Sequence, residues 1–261
     1  MKISEIIQYL ESIAPPAYQE AYDNSGLISG NITTDCTGVL VSLDCTEEII
    51  QEAFEKKCNL IVSHHPLIFR PIRRISMENS QGSTLITAIK KDITLYAIHT
   101  NLDNILSGVN GAIADKIGLI NREILLPKDG QSSVGSGMIG NLKQAVPENQ
   151  FLMDLRESFH LPLIRHSPLT GGMVSRIAIC GGAGSFLIFN ALQAGADFFI
   201  SSDIRYHEFF EAEGKMVIAD IGHFESEQFT IDLLCKVLLD KYRNFAVLKT
   251  DTVTNPVKYY I

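Results

Sequence analysis

Asn59-Leu60-Ile61-Val62-Ser63-His64-His65-Pro66 reads as a short apolar strand that ends in two adjacent imidazoles. Side chains alternate faces along a strand, so neighbouring histidines cannot share a direction from its middle. At the strand's last residues the backbone turns, and Pro66 holds His65 extended. Both rings then aim into the crevice beyond the strand's carboxyl end, where open α/β sheets bind ligands. Two surface histidines in a loop are the competing reading, and adjacency alone does not decide between them.

Working outward, strands and helices alternate. Apolar residues Ile3, Ile6, Ile7, Leu10 and Ile13 form a helical stripe that Pro15-Pro16 stops. Residues 38–43 read as a buried strand; Asp44 and Thr46 are capping candidates for a helix to about Lys57. After the histidine pair come a loop to about Asn79, a helix at 84–91, a strand at 93–98 and a helix at 109–117. Residues 127–136 are linker-like, with Pro, Gly and Ser. Beyond them, strands at 137–146, 174–180, 198–201, 216–219 and 245–249 alternate with helices at 147–159, 186–194, 206–212 and about 225–239. This pattern predicts parallel-rich α/β layers.

Residues 57–65 can also be laid on residues 195–203, and each segment precedes a strand ending in histidine, Ile98-His99 or Gly222-His223. The expected architecture is therefore two related α/β/α-type domains with parallel-rich mixed sheets and a metal cleft between them. The expected division is 1–126 and 127–261, with the segment from about 216 to 261 placed to pack back on the first.

A chain of 261 residues, 46% hydrophobic and 20% charged, has ample material for two cores. A formal net charge of −8 disfavours a nucleic-acid binder; Arg70, Arg73 and Arg74 form a local basic cluster that could favour an anion. No apolar run is long enough to span a bilayer, and Met1-Lys2-Ile3-Ser4-Glu5 begins no signal peptide. Five scattered cysteines without a CxxC point to reduced thiols in a cytoplasm.

Three strand ends carry potential ligands: His64 with His65, His99 with Asp103, and the stretch Asp220-Ile221-Gly222-His223-Phe224-Glu225-Ser226-Glu227. If a helix begins at once after Gly222, His223 and Glu227 lie four apart on one face, within reach of one ion. Imidazole with carboxylate suits zinc, iron or manganese, and these ligands exceed the needs of a single ion. Two divalent metal ions are the economical reading; a helix-start pair and a capping aspartate are the bland one. Gly181-Gly182-Ala183-Gly184-Ser185 could present N–H groups to a phosphate, Gly184 among them, or form a tight turn. Arg205 is a candidate phosphate contact. Tyr22-Asp23-Asn24-Ser25-Gly26-Leu27 reads as a polar turn in preference to a cleft wall.

Ser63-His64-His65-Pro66, His99-Thr100-Asn101-Leu102-Asp103 and the stretch from Asp220 to Glu227 resemble motifs of the NGG-one-interacting-factor-three-like proteins. These are dinuclear-metal-centre proteins often catalogued as GTP cyclohydrolase 1 type 2 homologs. The likeness extends over nearly the whole chain, including residues 22–27, 201–207 and 254–259. By resemblance the metal ligands are His64, His65, Asp103, His223 and Glu227, with His99 beside the metals as a proton carrier or as a group supporting the ligands from behind. The resemblance also implies a toroidal homohexamer. Longer members carry an inserted domain, and this chain crosses that point through Asp129-Gly130-Gln131-Ser132-Ser133. The activity so implied is hydrolysis, with a purine nucleotide as the small-molecule substrate and water attacking C8 of its ring. A two-metal phosphoesterase and a non-enzymatic metal-binding or regulatory scaffold are the alternatives.

Overall fold

A computed structural model of the chain describes residues 1–128 and 130–260. Asp129, in the stretch 129–133 where the resemblance led us to expect the crossing point of an insert, lies outside the described residues, as does Ile261. In chain order the elements begin with α1 (Ile3–Ile13), β1 (Gly26–Ser29), β2 (Val39–Ser42), α2 (Glu47–Glu55) and β3 (Leu60–Ser63). Next come α3 (Ser80–Lys90), β4 (Thr94–Ala97), the short helix α4 (Thr100–Asp103) and α5 (Val109–Ile117). The middle of the chain forms β5 (Ile120–Lys128), β6 (Gln131–Pro147), α6 (Glu148–Phe159), β7 (Arg165–His166) and β8 (Met173–Ala183). Then follow α7 (Ile188–Gln193), β9 (Phe198–Ser202), a 3-10 helix over Tyr206–Ala212 and β10 (Val217–Asp220). The last elements are α8 (His223–Glu227), α9 (Thr230–Lys241) and β11 (Val247–Lys249).

The chain divides into two compact units: Met1–Leu102 with Thr230–Lys258, and Asp103–Phe229 with the residues from Tyr259 on. The first unit holds a five-stranded sheet in the order β1-β4-β3-β2-β11. Its inner strands β2, β3 and β4 are buried along their whole length and pair in parallel, as continuous apolar runs demand. Parallel register aligns Ser42 with Ser63 and Ser63 with Ala97, so the residues after β2, β3 and β4 emerge at one sheet edge. Those residues include Asp44, His64, His65 and His99. Helix α2 starts on Thr46, whose hydroxyl accepts the Ile49 N–H, and buries Ile49, Ile50 and Ala53 against the sheet.

The second unit holds a six-stranded sheet in the order β5-β6-β8-β9-β10-β7. Strands β8, β9 and β10 are parallel, with Ser201 opposite Asp220. The residues that follow β9 and β10, Asp203 and His223, therefore leave neighbouring carboxyl ends too. Lys57 and Gly195, matched in the two segments, both sit in the left-handed region (φ 59° and 70°) one turn ahead of a central parallel strand.

Several elements differ from the sequence expectation: β1, β5 and β7 have no counterpart in it, and three of the five pairings in the second sheet are antiparallel where parallel-rich layers were expected. Of the linker-like residues, 127–128 and 131–136 belong to a long antiparallel β5–β6 pair, with Leu126 opposite Ser136 and Pro127 opposite Gly135. Composition marks the turn but is blind to pairing between segments. A Cβ on Gly135 would lie 2.2 Å from the Leu126 carbonyl oxygen, so this glycine serves the close approach of the two strands. The helix expected over about 225–239 is two, α8 and α9, broken at residues 228–229.

Candidate metal centre

In the first unit, the carboxyl ends of β3 and β4 bring His64, His65 and His99 together. Their ligand nitrogens lie within 4.8 Å of one another, and ring centroids are separated by 5.0, 5.1 and 5.4 Å. Each ring is held through Nδ1. His64 Nδ1 donates to the Ile98 carbonyl (2.9 Å), His65 Nδ1 to Asp44 (2.7 Å) and His99 Nδ1 to Asp23 (2.7 Å). Carbonyl and carboxylate oxygens only accept, so Nδ1 carries the proton and Nε2 is the bare nitrogen of each neutral ring. A histidine tied this way is oriented for a metal, because the outer hydrogen bond fixes tautomer and direction.

The acceptors are themselves anchored. Asp44 accepts the Thr254 hydroxyl, and Asp23 accepts the Ser25 and Thr100 hydroxyls and the Thr100 N–H. The Asp23 side chain is fully buried. Burial opposes its ionisation, yet the hydrogen bonds and charge of His99, with the two hydroxyls, hold its carboxyl well below the usual range.

In the second unit, α8 begins immediately after Gly222, so His223 and Glu227 do stand four apart on one helical face. His223 Nε2 lies 3.1 Å from Glu227 Oε2, while His223 Nδ1 lies 2.7 Å from Asp203. Burial alone would lower the pKa of this imidazole, but the two carboxylates raise it to about 10. The position thus favours positive charge. Asp103 and Glu227 both act on the Cys180 thiol, whose pKa burial and then their two charges push up. Gly182 lets α8 approach: a Cβ there would stand 2.3 Å from Glu227 Oε1 and 3.4 Å from His223 Cε1.

The glycine run spends its N–H groups on side chains. Gly181 donates to Asn110, Gly182 to Ser226 and Gly184 to Ser201. Arg205 is exposed, and its N–H bonds Glu208 at the start of the 3-10 helix. Arg165 pairs with Asp220 at 3.0 Å and donates to the Ile204 carbonyl. Sequence reasoning missed the roles of Asp44 and Asp23. Asp44 looked like a helix cap and Asp23 like part of a turn. Asp23 lies 76 residues from His99, a separation that no local pattern bridges.

Two clusters of metal-ligating side chains, one of them containing His223 and Glu227, on a chain of two α/β sheets define a bipartite metal-binding α/β protein. A family model described as Duf34/NIF3 (NGG1p interacting factor 3) matches residues 1–256, and the chain belongs to that family. A Clostridium perfringens protein named GTP cyclohydrolase 1 type 2 homolog is 36% identical over 231 residues, 87% of each chain. One of the same name from Staphylococcus epidermidis is 28% identical over 367 aligned positions, covering 99% of this chain and all of its own. That alignment is longer than this chain, so the relative carries residues this one lacks. The crystal structure of the Staphylococcus aureus hypothetical protein SA1388 superposes with a TM-score of 0.93 at 30% identity, covering 100% of this chain and 99% of that one. Kinship and ligand clusters together support a metal-dependent, hydrolase-like function. No helix among the described residues is long and apolar enough to cross a membrane.

Proposed function

We propose that this protein is a dinuclear-metal-dependent hydrolase that opens the ring of a purine nucleotide with water. Its metal ligands are His64, His65, Asp103, His223 and Glu227, and its proton carrier is His99. The observation that carries this reading is the shared tethering of the four imidazoles, each held at Nδ1 by a carbonyl or carboxylate oxygen. Three such histidines, His64, His65 and His223, together with the carboxylates of Asp103 and the buried Glu227, are donors that suit divalent zinc, iron or manganese. A pair of such ions would supply an acidified water and polarise the bond it attacks.

The chain's own residues do the remaining work. Asp44 and Asp203 aim the Nε2 atoms of His65 and His223. His99 takes a proton at Nε2, and the ionised Asp23 behind it stabilises the imidazolium that results. Asp23 does so without becoming protonated, because its carboxyl is held far below neutral pH. The relatives' printed names support a GTP-like substrate, and a cytoplasmic homohexamer belongs to this reading only as what the resemblance of the sequence motifs implies.

The test is to incubate the metal-loaded protein, and its His99→Ala variant, with GTP and with phosphodiesters while assaying metal content. Ring opening without phosphate release, lost in the variant at unchanged metal content, is the expected outcome. Phosphate release instead would make the protein a phosphoesterase. Full metal occupancy with no turnover of either substrate class would leave a metal-binding scaffold.

A further inference from the structure

The loop between β3 and α3, residues 66–79, is the strongest positive feature of an acidic chain. Arg70, Arg73 and Arg74 fall within five residues, and no acidic residue occurs from Pro66 to Met77, against a formal net charge of −8. All three arginines are exposed, and none makes an ion pair or side-chain hydrogen bond among the described residues. Arg122, Arg165 and Arg176, by contrast, are committed to Asp115, Asp220 and Glu123.

The loop is also fixed in place. Leu67, Ile68 and Ile72 pack on the core beneath it. Gln81 Nε2 donates to the Leu67 carbonyl and Asn24 Nδ2 to the Ile68 carbonyl, both at 2.6 Å. That scaffold sets the Phe69 ring 5.9 Å from the His99 ring and 6.2 Å from Tyr22. Both aromatics remain open to solvent, Phe69 at 39% and Tyr22 at 63%. Exposed aromatic rings beside a histidine cluster, joined to a run of unpaired guanidiniums, make an amphipathic surface with two demands. Aromatic faces take a planar π-system, and guanidiniums take phosphate oxygens in bidentate fashion.

We propose that Tyr22 and Phe69 stack the base, and Arg70, Arg73 and Arg74 bind the phosphate chain, of a nucleoside polyphosphate presented to His99. The assignment rests on reading the histidine cluster as the reaction centre, but its binding half can be measured without turnover. An isolated phosphate would leave the aromatics unused. Long single strands meet the electrostatic opposition of the acidic chain.

Calorimetric titration of the purified full-length protein with GTP, guanosine, inorganic tripolyphosphate and a short single-stranded oligonucleotide tests this. GTP should bind at least tenfold more tightly than any of the other three. Combined Arg70→Ala, Arg73→Ala and Arg74→Ala should weaken GTP and tripolyphosphate at least tenfold, leave guanosine unchanged and flatten the salt dependence of GTP binding. Phe69→Ala should weaken GTP and guanosine by a common factor and leave tripolyphosphate unchanged. Unchanged circular dichroism and Tm control for folding, since all four positions are exposed. GTP affinity untouched by the triple variant, tripolyphosphate matching GTP, or the oligonucleotide outcompeting GTP would each overturn the proposal. GTP bound as expected but never hydrolysed would instead defeat the hydrolase reading and leave the binding site standing.

Discussion

Asp44 carries its weight through another residue: one oxygen holds His65 Nδ1, the other the Thr254 hydroxyl. Asp44→Asn offers an amide that can present its N–H₂ to Nδ1, which inverts the tautomer and removes the lone pair from Nε2. Metal affinity is expected to fall ten- to a hundredfold, the range for loss of an outer hydrogen bond to a ligand, with the fold intact by circular dichroism. Thr254→Val leaves the carboxylate in place and should cost less. Equal loss in both variants would mean that the strand end, and not the tether, sets His65. Asp23→Asn belongs to the same logic. Turnover should drop at least a hundredfold while metal content holds, because His99 keeps its place but not its tautomer.

At the scale of elements, the contact between the glycine run and α8 is steric before it is chemical. Gly182 has φ +63°, and a methyl group there would collide with the Glu227 carboxylate. Gly182→Ala should lower stability by roughly 1–3 kcal/mol and reduce metal bound at the His223–Glu227 cluster, read by chemical denaturation and metal analysis. A second element-level contact ties α2 to the segment after β11. Glu52 receives the hydroxyls of Thr250 and Thr252, the Asp251 N–H and the Lys56 ammonium. Burial would raise its pKa, but these partners hold it at about 2, below the ordinary 4.5. A carboxyl depressed on folding adds stability above its unfolded pKa and loses it as pH falls toward the folded value. The contribution should be complete at pH 7 and fade between about 4.5 and 2. Glu52→Gln is expected to cost about 1–2 kcal/mol at pH 7, reduced because Lys56 is partly exposed, with the gap to wild type closing only as the pH approaches 2. A gap independent of pH would assign the cost to packing.

For the whole molecule, ions that bind only the folded chain must raise its apparent stability by mass action. Zinc or manganese at a hundredfold over Kd is expected to add about 2.7 kcal/mol, visible as a rise in Tm that a chelator reverses and that His65→Ala with Glu227→Ala abolishes. Sedimentation of the native protein should give the mass of six chains. A monomer would separate the metal chemistry from the assembly expected of the family.

The chain pattern alone was enough for much of this. Runs such as 60–62 and 198–200 are apolar without alternation, as strands covered on both faces require, so the parallel strands β2-β3-β4 and β8-β9-β10 followed from the residues, whereas three of the five pairings in the second sheet are antiparallel. Histidines at strand ends and the four-residue spacing of His223 and Glu227 were equally legible, because both are local. Tertiary structure decided what depends on distant segments meeting. It paired residues 127–128 with 131–136 as antiparallel strands, gave Asp23 to His99 and Asp44 to His65, and filled the N–H groups of the glycine run with side chains. Periodicity records which face a residue buries, but a hydrogen bond across 76 positions leaves no trace in its neighbours.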